Sequence, residues 1–263
     1  MDLVASRLRR LISRTLAAAG IRVTRSRTAD RQFPVEFSDD DRRIVEFVTS
    51  NELTMVSRER LFTTLMACQY VARQGIPGDF VECGVWRGGN SIVAADVFRR
   101  LAPRKALHLF DTFAGMTAPS ARDVDQQGVS ADAEFIRGQR VDCNEWCYAS
   151  IAEVKANFAM GHLGQCDVHY VKGDVLETLR LEENVPDSIS VLRLDTDWYE
   201  STKLELEVLY PRLVDGGVLI VDDYGHWGGA KQAVDEYFAN RPRPFLQYTD
   251  YTGRVAVKVA RPQ

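Results

Sequence analysis

Nowhere in the 263 residues is there a run of about 18 uninterrupted apolar residues, so the sequence offers no membrane-spanning helix. Cysteine is sparse and odd in number. Cys68, Cys83, Cys143, Cys147 and Cys166 form no paired CxxC pattern, which excludes a disulfide framework and a zinc ribbon and fits a reducing cytoplasm. Cys143 and Cys147, four apart, are expected on a helix as two partly buried thiols rather than metal ligands. An excess of basic charge is also missing. The formal net charge of −4 argues against a nucleic-acid partner, which calls for a basic stripe to displace counterions from phosphates. No internal repeat or low-complexity tract interrupts the chain, and 45% hydrophobic with 27% charged residues is ordinary for a soluble globular protein.

The length suits one α/β domain with an N-terminal extension, divided as 1–37 and 38–263. Residues 1–23 place Leu3, Leu8, Leu11, Ile12 and Leu16 near one helical face, with Arg7, Arg9, Arg10 and Arg14 around it. A docking or dimer-forming helix is expected there, with membrane-surface contact the alternative. Residues 24–40 are polar, contain Pro34, and read as a linker. Ser38 is placed to cap a helix over 39–49, and Thr54 or Ser57 another over 57–74. Strand-like runs follow at 79–82, 106–110, 168–171, 190–194 and 217–221, alternating with helical stretches at 90–101, 149–160, 175–181, 201–213 and 228–239. Segments 245–248 and 255–259 suggest a closing hairpin. The expected fold is a doubly wound, mostly parallel, Rossmann-like sheet with an antiparallel end.

Ligands of such sheets gather at the carboxyl ends of the strands. The first strand ends in Glu82-Cys83-Gly84-Val85-Trp86-Arg87-Gly88-Gly89-Asn90-Ser91. Its glycines let backbone N–H groups approach a ligand, and Asn90 or Ser91 is placed to cap the next helix. The spacing is not that of a dinucleotide fingerprint, and Glu82 suits an ammonium group. S-adenosylmethionine fits: its amino acid near Glu82 and Gly84, its ribose hydroxyls on Asp111 beside Thr112, its adenine near Asp174. Each aspartate alone reads equally well as a helix cap.

Strands four and five run into Asp195-Thr196-Asp197-Trp198 and Asp222-Asp223-Tyr224. A parallel sheet delivers all of these acids to one edge. Asp195, Asp222 and Asp223 together need a counter-cation, and an all-oxygen set selects a hard ion such as Mg²⁺. Such an ion acidifies a vicinal diol, and Asp197 is the candidate base. Residues 114–148 are long and polar, the profile of a lid. Phe135, Trp146, Trp198, Tyr199, Tyr224, His226 and Trp227 are candidates for an aromatic sugar platform.

The motifs ECGVWRGG, LFDTF, LRLDTDWYES and LIVDDYG, in this order over roughly residues 50–240, resemble the macrocin O-methyltransferase (TylF) family. The resemblance implies a class I methyltransferase fold, S-adenosylmethionine and Mg²⁺ as cofactors, a sugar hydroxyl as acceptor, and a homodimer or higher oligomer. Family metal ligands fall on Asp195, Asp222 and Asp223. Family cofactor contacts fall on Glu82, Gly84, Asp111 and Asp174, and a Thr-Met segment over the cofactor falls on Thr54 and Met55. Thr196 stands where antibiotic-pathway members often carry glycine. A catechol-type O-methyltransferase is the alternative, but its lysine base is missing: the first lysine after Asp195 is Lys203. A non-catalytic nucleotide-binding module would leave the carboxylates idle.

Overall fold

The computed structural model describes residues 33–260, so the amphipathic segment 1–23 lies outside the described residues. The residues from Arg43 onward form a compact unit that carries the sheet.

Helix α1 (Asp39–Ser50) starts at a reciprocal cap, in which Ser38 Oγ accepts from the Asp41 amide and Asp41 accepts from the Ser38 amide. Helix α2 (Arg58–Arg73) is capped by Ser57, whose hydroxyl accepts from the Arg60 amide. The β/α alternation then runs β1 (Asp79–Cys83), α3 (Gly89–Leu101), β2 (Leu107–Asp111), α4 (Asp132–Gly138), α5 (Ile151–Met160), β3 (Val168–Lys172), α6 (Val175–Thr178), β4 (Ile189–Leu194), α7 (Tyr199–Val208), β5 (Leu213–Val221) and α8 (Gly228–Phe238). Strands β6 (Gln247–Tyr248) and β7 (Arg254–Val257) complete a seven-stranded sheet in the order β3-β2-β1-β4-β5-β7-β6. The first five strands are parallel, and β7 runs antiparallel to both β5 and β6. The expected class I fold is the one observed.

Side chains alternate across the sheet, so one face takes Val81, Cys83, Leu192, Leu194, Leu219 and Val221 into a core closed by Leu206, Leu209 and Tyr237. The opposite parity carries Glu82 and Arg193, which are register partners on β1 and β4. That pairing sets charge inside the sheet, directly behind the strand ends.

Three expectations about local structure change. Asn90 and Ser91 do not cap α3: Gly88, in the left-handed region at φ 89°, precedes it, and both side chains turn inward, Asn90 onto Thr64 and Ser91 onto Glu82. The expected helix over 201–213 stops at Val208, because Pro211 lacks an N–H and its ring cannot follow an α-helical turn; a 3₁₀ turn at Tyr210–Arg212 takes its place. Cys143 and Cys147 lie on no helix. Their stretch is irregular, with Cys147 at φ 53°, and all five cysteines are free thiols. No helix among the described residues is long and apolar enough to cross a membrane.

Candidate active site

The carboxyl ends of β1, β2, β3, β4 and β5 open onto a cleft of about 370 Å³. At its centre β1 and β4 meet almost backbone to backbone: a Cβ on Gly84, which sits at φ 83°, would lie 1.9 Å from the Asp195 carbonyl oxygen. Only glycine fits there. Gly89 is similarly confined, since its Cβ would lie 2.4 Å from the Leu53 carbonyl, and this close approach brings the Thr54–Met55 segment over the cleft.

Asp111 lines the cleft, and its carboxylate also organises the loops around it. Oδ2 accepts from the amides of Val85 (2.6 Å) and Trp86 (3.0 Å), and Oδ1 from the amide of Phe113 (2.6 Å). Burial nevertheless outweighs these donors and raises its pKa. Thr112 beside it donates to the Gly115 carbonyl. Asp174 combines the two roles that its position allowed, lining the cleft and capping α6 through the Leu176 amide at 2.9 Å. Thr54, Met55, Gly84, Asp111, Thr112 and Asp174 thus share one cleft. Glu82 does not reach it. Its side chain is 1% exposed, and its two oxygens are occupied by Arg193 and Ser91. Burial pushes this acid up to about 7 even with the guanidinium beside it.

The acids of β4 and β5 converge. Asp195, Asp222 and Asp223 each offer an oxygen, and all three lie within 4.8 Å of one another. Two arginines that the sequence reading missed sit against them. Arg193, 1% exposed, donates to Glu82 (2.7 Å), Asp195 (2.6 Å) and Asp222. Arg60 of α2 reaches Asp222 through Nη1 and Asp250 through Nε, the latter at 3.0 Å. Ser57 adds a second side-chain donor to Asp250, tying the start of α2 to the β6–β7 turn.

Two guanidinium groups face six carboxyl groups: Glu82, Asp195, Asp197, Asp222, Asp223 and Asp250. Burial and mutual repulsion push Asp195 and Asp223 well above the usual carboxylate range, and Asp197 up to about 6. The charge of Asp197 adds to the rise at Asp223. A clustered, oxygen-only donor set with this surplus of negative charge suits a hard divalent cation.

Asp197 also holds an uncommon backbone conformation. It sits at φ 67°, and the Trp198 amide donates across it to the Thr196 carbonyl at 2.7 Å, closing a γ-turn. Such a conformation costs on the order of 1–3 kcal/mol in a non-glycine residue and persists only where its surroundings dictate it. The left-handed position falls on Asp197 itself, so the turn does not require glycine at 196.

Of the aromatic candidates, Trp146, His226 and Trp227 line the cleft. Trp198 packs behind them at 5.6 Å from Trp146 and 5.0 Å from Trp227, centroid to centroid, and its indole N–H donates to the Thr117 carbonyl. Phe135, Tyr199 and Tyr224 do not line it; Tyr199 and Tyr224 hydrogen-bond Glu236 and Asp235 on α8. Segment 114–148 is folded rather than open. It contains α4, and buried Asp123 accepts from the amides of Tyr199 and Ser120. Lys203 stands over the Tyr199 ring, away from the cleft.

Known O-methyltransferases resemble this chain over most of its length. The demethyldecarbamoylnovobiocin O-methyltransferase of Streptomyces niveus is 35% identical over 192 residues, 72% of this chain and 69% of that protein. The 8-demethyl-8-(2,3-dimethoxy-alpha-L-rhamnosyl)-tetracenomycin-C 4'-O-methyltransferase of Streptomyces olivaceus is 35% identical over 188 residues, 70% of this chain and 67% of that protein. The solved structure of the O-methyltransferase NovP superposes with a TM-score of 0.68 at 32% identity, covering 79% of this chain and 82% of that one. The macrocin-O-methyltransferase (TylF) family matches residues 9–252, so the chain belongs to that family and is an S-adenosylmethionine-dependent O-methyltransferase.

Proposed function

We propose that this enzyme methylates a hydroxyl of a sugar, carried on a natural product, a glycolipid or a polysaccharide, with a divalent cation such as Mg²⁺ held by Asp195, Asp222 and Asp223. The observation that carries the reading is the convergence of these three carboxylates within 4.8 Å, in the same cleft as Gly84, Asp111 and Asp174. When bound, S-adenosylmethionine supplies the methyl group and the cation acidifies the hydroxyl.

The chain's own residues do the rest. Gly84 would admit the cofactor's amino-acid end against the backbone, and Asp111 and Asp174, at the strand ends, would hold its ribose and adenine. Thr54 and Met55 cover that side. Glu82, behind the cleft, acts by fixing Arg193, which in turn orients Asp195 and Asp222. Trp146 and Trp227 present apolar ring surface to the face of a sugar and keep water out. Asp197, at the apex of its turn, takes the acceptor's proton.

The sugar acceptor is supported by the rhamnosyl group in the name of the Streptomyces olivaceus relative. A catechol-type reaction is disfavoured by Lys203, which lies away from the cleft. The homo-oligomer and cytoplasmic location expected from the sequence accompany this reading. The test is Asp197→Asn, assayed for transfer of a labelled methyl group from S-adenosylmethionine to a panel of deoxysugar glycosides. An amide cannot take the proton, so kcat falls by roughly 10²–10⁴ with cofactor binding intact. Activity within a few-fold of wild type places the base elsewhere.

A further inference from the structure

Glu205 is a fully buried carboxyl group that has no role in the mechanism above. It lies on α7 with no exposed surface beside the buried Cys83 thiol, and Oε2 accepts from no N–H or O–H group among the described residues. Its other oxygen lies 2.8 Å from Thr196 Oγ1. Thr196 Oγ1 is also 2.8 Å from Ser201 Oγ, and Ser201 Oγ is 3.1 Å from the Trp198 carbonyl. These contacts run from the helix to both ends of the γ-turn whose apex is Asp197.

Proton counting gives the chain a direction. Three contacts need three donated protons, and the two hydroxyls supply two. The third comes from Glu205 as a neutral acid: Glu205 donates to Thr196, Thr196 to Ser201, and Ser201 to the Trp198 carbonyl. An ionised Glu205 would leave one contact without a proton. Burial, which pushes this acid up to about 8, agrees with the count. The acid is therefore a neutral donor placed under a backbone conformation that does not hold itself.

We propose that Glu205 is a positioning residue that acts through Thr196 to fix the turn presenting Asp197 to the cleft. The proposal rests on the reading of Asp197 as the base, and it explains why a carboxyl group is kept where an apolar side chain would pack.

The test compares Thr196→Val, Glu205→Ala, the double variant, Glu205→Gln and Asp197→Asn in the full chain. Labelled methyl transfer gives kcat and KM, calorimetry gives the affinity for S-adenosylmethionine, and thermal unfolding monitors folding. Thr196→Val and Glu205→Ala should each lower kcat by about 10–100-fold, with cofactor affinity within about threefold of wild type. The double variant should be no more than about threefold worse than the worse single, since both remove one linkage. Glu205→Gln, a neutral donor of similar length, should restore kcat to within about fivefold. Thr196→Val, which removes only a hydroxyl, carries the test if Glu205→Ala does not fold. Positioning is overturned if Asp197→Asn is inactive while Thr196→Val is within threefold of wild type. Losses that multiply in the double variant, or a glutamine as damaging as alanine, overturn it as well. Near-normal Asp197→Asn removes the base reading, and the positioning role falls with it.

Discussion

Arg193→Met tests the electrostatic design of the cleft floor. Methionine keeps much of the apolar volume but removes the only cation among the described residues that touches Glu82, Asp195 and Asp222 together. Breaking a buried ion pair from one side costs about 3–5 kcal/mol, because the partner stays buried and uncompensated. Here three partners lose a donor, yet Arg60 still holds Asp222 and Asp195 opens onto the cleft, so the single-pair range applies. For a domain of this size each kcal/mol moves the melting temperature by roughly 2–4 °C, which gives a fall of roughly 6–20 °C. The loss should also depend on pH. Glu82, already pushed up to about 7 with the guanidinium present, goes higher without it. An acid with a raised folded pKa is neutral in both states at low pH, and the fold loses stability as pH rises from the unfolded value of 4.5 up to the folded one, so a higher folded value extends the loss to higher pH. The variant should therefore lie closer to wild type at pH 5.5 than at pH 8, and adding Glu82→Gln should recover part of the deficit. Calorimetric unfolding at the two pH values is the assay. A melting temperature within 2–3 °C of wild type at both would refute the reasoning.

Asp195→Ala or Asp222→Ala should abolish turnover while leaving S-adenosylmethionine affinity within about tenfold, ~1.4 kcal/mol, since the proposed cofactor contacts lie at the ends of β1 to β3; parallel transfer assays and calorimetry check both halves. Gly84→Ala should lose cofactor binding or fail to fold, because its methyl would lie 1.9 Å from the Asp195 carbonyl, and near-native titration would contradict this. Glu205→Gln should match wild-type stability below about pH 4.5 and exceed it progressively up to about pH 8, since the folded state holds a proton that the unfolded chain releases. At about 1.4 kcal/mol per tenfold change in proton affinity the gain has a ceiling near 5 kcal/mol, and a pH-independent difference between the two proteins would count against a buried neutral acid.

The sheet was legible because each buried strand is an apolar run ending in glycine or aspartate, and the parallel topology brings those ends together. That alone located Asp195, Asp222 and Asp223 as a cluster. Arg193 carried a readable signal: an arginine inside Ile189-Ser-Val-Leu-Arg-Leu194, a strand buried at every position, requires carboxylates beside it. Arg60 carried none, since its partners Asp222 and Asp250 are brought to it only by the packed sheet and its terminal hairpin. Glu205 carried no signal in the sequence, since its link to Thr196 exists only once α7 packs under the turn at Asp197. Glu82 shows the opposite error of inference. Its place in the motif suggested a ligand contact, but β1–β4 register sets it beside Arg193, inside the protein.

The most direct test of the account is Mn²⁺ binding to chelator-treated protein, followed by electron paramagnetic resonance with S-adenosylmethionine present. Wild type should bind one ion per chain, and Asp195→Asn and Asp223→Asn should each weaken that binding by roughly 10²-fold or more. No bound ion in wild type, or unchanged affinity in both variants, would contradict the assignment of these carboxylates as a metal centre.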